Sequence, residues 1–446
     1  MKKNDILEVS IVAQGCEGEG VAKPGGFPLF VSGALEGELC RVQVVKVTKS
    51  HGFARLLEVL TPSESRCVPP CPVYEKCGGC SLMHMNREAQ LAWKRQRVLE
   101  AFAHIGGLAV DAAPTEEDGR TERYRNKIQV PVAETQGRIA AGFFAPRSHR
   151  IVPCSGCLLQ SEKAGKIIEA VVSWMEEYAI TPYDEETHKG QVRHIFIREG
   201  DGEECMVSLI TRTRTLPAED ALIKSMKKEG VTTLLQNINP KRTNVILGEE
   251  TRVLFGDGGV TKTLGGLKFF VSHHSFFQVN TPMAERLYEK GLSLLGDISD
   301  KTVFDLYCGI GSISLFLARK AKKVIGVEIV PQAVEDAKKN AAANGIENAR
   351  FFAGDAFEVT DKLIKEGERA DIAVVDPPRK GCSPDLLETL LHMHPEKILY
   401  ISCNPATLAR DVKFLSENGY GCDTVYPFDL FPNTSHVECC VLLCRE

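Results

Sequence analysis

Cys403 lies in the run Leu399-Tyr-Ile-Ser-Cys-Asn-Pro-Ala-Thr-Leu-Ala-Arg410, where residue types and spacing permit covalent chemistry. The apolar residues 398–401 predict a buried strand. It stops at Ser402-Cys403-Asn404-Pro405, and Leu408, Val412 and Leu415 follow at helical spacing. Pro405 suits the first position of that helix. Cys403 therefore sits where a strand end meets a helix start, the edge at which open α/β sheets bind ligands. A thiol near a helix N-terminus loses its proton more readily and is a better nucleophile. A free cysteine is more often a small buried core residue, so position alone leaves both readings open.

A second group of residues faces the same edge. Gly309 and Gly311 follow the strand-like residues 302–307 and permit close backbone approach to a ligand. Glu328 ends the next strand, seventeen residues beyond Gly311, placed to bind a ribose diol. Asp355 and Asp376 end the third and fourth strands. This spacing admits a nicotinamide dinucleotide, but Ser314 stands where the third glycine of Gly-x-Gly-x-x-Gly belongs. Acids at several strand ends suit a nucleoside with a cationic tail, S-adenosylmethionine, better than a pyrophosphate.

The third group is sulfur. Cys67, Cys71, Cys77 and Cys80 fall within fourteen residues, and Cys154 and Cys157 form a further pair. Gly78 and Gly79 let the backbone turn so that Cys77 and Cys80 face one centre. Four thiolates suit tetrahedral zinc or an iron–sulfur cluster, and spacing does not choose between them.

Three units must position these groups. Short β-rich runs separated by glycine turns predict a small barrel of the oligonucleotide-binding kind over residues 1–60. A central α+β unit over 61–265 carries the thiols. Within it, 87–105 reads as a helix with Leu91, Val98, Phe102 and Ile105 on one face and Gly106-Gly107 as its stop. Lys94, Arg95 and Arg97 fall on its other faces, and the helix is expected to pack on the catalytic unit. From residue 266 to 446 strands alternate with helices, which predicts a parallel, doubly wound, Rossmann-like α/β sheet. Residues 422–426 and 437–443 should form an antiparallel pair at its end.

With 446 residues the chain can bury several cores. No apolar run approaches a membrane span, and Met1-Lys-Lys-Asn-Asp does not open a signal peptide. A cytoplasmic location and a monomer are the expectations. Sixteen cysteines then point to metal binding or catalysis and away from disulfides. The net charge of −5 does not advertise nucleic-acid binding, but Arg120 to Arg150 holds seven Lys/Arg against two Glu. Within it, Tyr124-Arg125-Asn126-Lys127 is a candidate for phosphate contact or base stacking.

Taken together, Phe276-x-Gln278-x-Asn280, Asp305-Leu-Tyr-Cys-Gly-Ile-Gly311, Asp376-Pro-Pro-Arg-Lys-Gly381, Ser402-Cys-Asn-Pro405 and His436-Val-Glu438 resemble the RNA uridine-5-methyltransferase family of the RumA/TrmA type. The resemblance spans the whole chain. It implies a seven-stranded S-adenosylmethionine-dependent methyltransferase domain and an N-terminal TRAM barrel that binds RNA. It makes Cys403 the nucleophile and Glu438 the base. Gln278, Tyr307, Gly309, Gly311, Glu328, Asp355 and Asp376 become the S-adenosylmethionine site. Cys71, Cys77, Cys80 and Cys157 match the ligands of a 4Fe-4S cluster, with Cys67 and Cys154 extra. Barrel and thiols make the chain more similar to the branch acting on 23S ribosomal RNA than to the transfer-RNA branch. The alternatives are a tRNA uridine-5-methyltransferase and an inactive RNA-binding iron–sulfur protein of the same fold.

Overall fold

The computed structural model describes residues 1–153 and 156–446. Cys154, one of the two extra thiols, lies outside the described residues. Strands Ile6–Gln14, Gly20–Ala22, Leu29–Ser32, Leu39–Val47 and Gly52–Thr61 close into a barrel. Alternation along them turns Val9, Ile11, Leu29, Val31, Cys40 and Val42 inward. Next comes a seven-stranded mixed sheet running from Glu250–Phe255 to Ile151–Pro153. Helices Glu162–Glu177 and Glu219–Lys228 cover one face of it. The turn Gly265-Gly266, expected to divide two units, instead closes a hairpin of Gly259–Leu264 and Leu267–Ser272.

The C-terminal sheet is built from β1 (Thr302–Leu306), β2 (Lys323–Glu328), β3 (Ala349–Ala353), β4 (Ile372–Val375), β5 (Lys397–Ser402), β6 (Thr424–Phe428) and β7 (Glu438–Arg445). Their spatial order is β3-β2-β1-β4-β5-β7-β6. The first five run parallel, and β7 enters antiparallel between β5 and β6. Val303, Val324, Val374 and Ile401 pack into one core, and their neighbours Phe304, Ile325, Val375 and Tyr400 into the other. Both faces of the central strands are buried, which is why they read as largely apolar runs, with Asp305 the buried exception in β1. Asp111–Ala112 adds a short parallel strand beyond β6, with no signal in the sequence.

The helix over Arg87–Ala101 ends in one π-turn, Phe102–Gly106, and Gly107 takes φ 65°. The wider turn rotates the last residues, so Ile105, expected on the buried face, is exposed. Conversely Lys94, expected on another face, is fully buried, because Asp429 meets its ammonium at 2.5 Å. The tract at Tyr124 also differs from expectation. Tyr124 and Asn126 are buried, the phenol donating to the Pro432 carbonyl at 3.2 Å and the amide to the Gln278 carbonyl at 3.0 Å. Buried carbonyls need donors, and these side chains supply them, which leaves neither free for RNA. Among the described residues, no helix is long and apolar enough to cross a membrane.

Candidate active site

β5 is buried along its length and ends at Ser402. Asn404 caps the following helix, Pro405–Ser416, its side chain accepting from the Ala406 amide at 3.1 Å. Cys403 is held between these two fixtures. Ser402 pairs with Cys439 across the β5–β7 ladder, so the next residues, Cys403 and Glu438, meet at the sheet edge. β4 lies parallel beside β5 and releases Asp376 at the same edge. The sequence thus converges on three groups from three strand ends.

Their electrostatics reverse one expectation. Burial, then Glu438 and Asp376, push the Cys403 thiol up to about 11, while Arg379 pulls the other way. Proximity to the helix start does not make this thiol acidic, because desolvation and two carboxyls outweigh it. Glu438, 5% exposed, is pushed up to about 8 by burial and then by Asp376. Burial and then Asp305 push Asp376 up to about 7. Burial also depresses His436 to about 4, with Arg379 next in size. The neutral ring can therefore accept from the Arg379 guanidinium, 3.2 Å from its Nε2.

The residues expected to hold the cofactor lie at the ends of β1 to β4 and at the hairpin's exit. Glu328 accepts from the Gly309 amide at 3.1 Å and the Val330 amide at 2.9 Å. Gly309 and Gly311 take φ 54° and 85°. A Cβ on Gly309 would meet nothing within 4 Å, so its backbone borders open space. Half-buried Tyr307 has its hydroxyl raised by burial, with Asp355 and Glu328 among its neighbours. Asp355 is exposed and caps the helix Ala356–Lys365, accepting from the Phe357 amide at 2.9 Å. An open glycine backbone, a strand-end carboxylate and flanking Tyr307 fit a nucleoside ligand. Gln278 is 7% exposed and lies beside the buried Tyr288 hydroxyl, which also meets Ser312 and Asp376.

Sequence reasoning passed over Tyr288, Asp305 and Arg379 as site residues. Tyr288 lies on the helix Thr281–Leu295, where periodicity marks it only as core. Asp305, fully buried, accepts from the Ser314 hydroxyl at 2.6 Å and leaves its second oxygen unpartnered. Burial pushes it up to about 7. Ser314, the residue that breaks the dinucleotide pattern, is thus the partner of a buried acid.

Cys71, Cys77, Cys80 and Cys157 line one cavity of about 210 Å³, together with Tyr74, Met83, Arg125 and Lys127. Burial, then Cys157 and Cys77, push Cys80 up to about 12. Cys67 is not part of this lining; its thiol donates to the Met83 carbonyl at 3.4 Å. Among the described residues, no group of three or more His, Cys, Asp or Glu side chains is placed to hold a metal ion. Four thiols around one cavity, with two cations on its wall, fit a polynuclear anionic group.

Residues 261–446 match the family model described as tRNA (Uracil-5-)-methyltransferase, and residues 2–57 match the TRAM domain. An uncharacterised RNA methyltransferase of Clostridium tetani is 45% identical over 99% of this chain and 97% of its own length. Another, from Halalkalibacterium halodurans, is 46% identical over 99% of this chain and 98% of its own. Among solved structures, the Pyrococcus abyssi tRNA (uracil-54, C5)-methyltransferase in complex with S-adenosyl-L-homocysteine superposes with a TM-score of 0.80. It is 27% identical, with 98% of this chain and 99% of that one covered. Pairwise identity over nearly full length, together with the two matched models, assigns the chain to the S-adenosylmethionine-dependent RNA uracil-5-methyltransferase family, with an N-terminal TRAM domain.

Proposed function

We propose that the enzyme methylates carbon 5 of a uridine through a covalent adduct between Cys403 and carbon 6, with Glu438 as the base. The carrying observation is the meeting of Cys403 and Glu438 at the ends of β5 and β7, beside Asp376. Uracil carbon 5 is too weak a nucleophile to react unaided. Addition of the Cys403 thiolate at carbon 6 pushes the ring electrons into an enolate, nucleophilic at carbon 5. The thiol's proton leaves to the neighbouring Asp376 carboxylate before attack and returns to the sulfur on release, which leaves ionised Glu438 free to act as the base. When bound, S-adenosylmethionine supplies the methyl group. Gln278, Tyr307, Gly309, Gly311, Glu328, Asp355 and Asp376 are assigned to hold it. Glu438 then removes the carbon 5 proton, the ring electrons return, and the carbon–sulfur bond breaks. A uridine inside folded RNA must first leave its stack.

The four-thiol cavity is assigned a 4Fe-4S cluster held by Cys71, Cys77, Cys80 and Cys157. The barrel is assigned to RNA affinity. The substrate proposed is 23S ribosomal RNA. A specific observation favours a second reading, transfer RNA: the Pyrococcus enzyme acts on tRNA and aligns with 98% of this chain, barrel included. The barrel therefore does not separate the two branches.

The test uses labelled S-adenosylmethionine with 23S rRNA and tRNA transcripts, followed by a denaturing gel. Cys403→Ala should give neither methyl transfer nor a protein–RNA band. Glu438→Gln should accumulate a slow band of methylated RNA. General-base catalysis is worth about two to four orders of magnitude, enough for that band to build up. Wild-type turnover by Glu438→Gln would make another residue the base. Label in tRNA alone would replace the ribosomal reading. Anaerobically purified protein should carry iron and sulfide; stoichiometric zinc in colourless, active protein would remove the cluster.

A further inference from the structure

Glu438 begins β7, and the stretch leading to it, Asp429 to Val437, has no regular structure. Its midpoint is clasped from the thiol loop. The amides of Ser81 and Leu82, the two residues after Cys80, both donate to the Asn433 carbonyl at 3.0 Å. The Ser81 hydroxyl accepts from the Ser435 amide at 2.9 Å. Gln90, 3% exposed, completes the clasp. It donates to the Leu82 and Met85 carbonyls at 3.1 and 2.8 Å and to the Asn433 side chain at 3.3 Å. Its own oxygen accepts from the Asn433 amide at 3.2 Å. Asn433 takes φ 67°, a left-handed conformation that asparagine tolerates better than most residues. The thiol loop and the lead-in to the base are thus one hydrogen-bonded unit, five residues before Glu438.

The loop side of this unit is weakly fixed by its own sequence. Cys77-Gly-Gly-Cys80 has no helix or strand, and its glycines leave the backbone free. Among the described residues its backbone ties are the Cys77 amide to the Val73 carbonyl at 2.9 Å, the Gly78 amide to the Phe144 carbonyl at 3.0 Å and the Gly79 amide to the Cys77 sulfur at 3.4 Å. Ligation at Cys77 and Cys80 would pin both ends of the turn, one residue from the clasp.

We propose that Ser81 and Gln90 are positioning residues for Glu438, and that occupancy of the four-thiol cavity sets the base through them. The coupling rests on the cluster assigned above; the clasp does not. It also gives the cluster a role that needs no electron transfer. The step it governs is release of the methylated base, not thiol addition, because Cys403 is held by β5 and its own helix.

The test takes the full chain, purified anaerobically, and reads three quantities. Hydrogen exchange of the peptide 429–438 should speed up in Ser81→Ala/Gln90→Leu, with iron and sulfide content unchanged. The same variant should raise the methylated-adduct fraction on a denaturing gel by roughly tenfold, part of the worth of a placed base. Ser81→Thr, which keeps the hydroxyl, should restore both readings. Removing iron from the wild-type protein with a chelator should produce the same exchange and the same trapped adduct. Unchanged exchange in the double variant overturns the clasp. An iron-free protein whose 429–438 exchange and adduct fraction match the loaded one overturns the coupling. Protein that never contained iron overturns the coupling and the cluster reading together, while the double variant still decides the clasp. Faster exchange without any adduct in Glu438→Gln would keep the clasp and reject the covalent reading.

Discussion

Cys403 and Glu438, the proposed nucleophile and base, sit side by side but are held by different means. Cys403 is placed by its neighbours in sequence: β5 before it, the Asn404 cap and Pro405 after it. Glu438 pairs with Phe428 at the head of β7, but its lead-in is held by residues hundreds of positions away. One face of the helix Arg87–Ala101 grips its lead-in: Arg87 binds Asp429, Gln90 binds Asn433, Lys94 binds Asp429 and the Phe431 carbonyl, and Arg97 binds the Ser435 carbonyl. Those residues recur at helical spacing along one stripe. Asn280 adds a bond to the Leu430 carbonyl at 3.1 Å. A locally built nucleophile forms once its own strand and helix form. The lead-in to Glu438 is complete only when N-terminal elements have docked.

Glu438 itself gives the largest expected effect. Its carboxyl titrates near 8 in the folded chain because of burial and Asp376, against an ordinary value of 4.5. A raised acid destabilises the fold progressively as pH climbs from the unfolded value to the folded one, because the unfolded chain ionises first. Below about pH 4.5 both states are protonated and nothing is lost. Above about pH 8 the full difference is present, on the order of 5 kcal/mol. Glu438→Gln cannot ionise. Its melting temperature relative to the wild type should therefore rise between pH 5 and pH 9. Parallel melting curves across that range would show that Glu438 is not held in a carboxyl-hostile pocket.

Lys94→Met breaks the long-range support. Lys94 and Asp429 are both fully buried, and removing one partner strands a charge, usually at a cost of about 3 to 5 kcal/mol. Arg87 remains on Asp429, so the loss should fall near the lower end, about 3 kcal/mol. Lys94→Met combined with Asp429→Leu should be less destabilised than the sum of the single changes, and urea unfolding reads both. A single-variant loss under about 0.5 kcal/mol would mean the helix contributes little to the base's placement.

The same contrast decides what the sequence could disclose. Cys403, the glycine turn and the strand-end acids were legible because each depends on neighbours within a few residues: an apolar run, a proline, a turn. The doubly wound sheet was legible because burial on both faces leaves continuous apolar strands. Density marked Cys67, Cys71, Cys77 and Cys80, whereas the set Cys71, Cys77, Cys80 and Cys157 came from the family resemblance; those four line one cavity and Cys67 does not. What could not be read is the long-range pairing of side chains. Lys94 looks like a surface lysine until Asp429 is known to face it. Tyr124 and Asn126 look like RNA contacts until the carbonyls of Pro432 and Gln278 are seen to need donors. The acidity of Cys403 was misjudged because helix position is local and the carboxyls of Asp376 and Glu438 arrive from other strands.

Asn404→Ala is the smallest change and the sharpest test of the division. Asn404 does two local jobs: its oxygen caps the helix at the Ala406 amide, and its amide donates to the Arg379 carbonyl at 3.0 Å. Thr407 reinforces the second bond, its hydroxyl reaching the same carbonyl at 3.2 Å. Losing an N-cap costs about 1 kcal/mol, so the fold should survive. The turn carrying Cys403 would loosen, and Arg379, the cation that opposes the rise of its thiol, would lose one tether. Thiol addition should slow roughly fivefold, the rate equivalent of about 1 kcal/mol. Release of methylated RNA should keep its wild-type rate, since no contact to the Asp429–Ser435 stretch has been touched. Rapid-quench measurement of adduct formation and decay separates the two steps. Asn404→Ser, which keeps a capping oxygen, should recover most of the lost stability. Slowed decay in Asn404→Ala would mean that the two halves of the site are mechanically one, and that the base is not held by its distant partners alone.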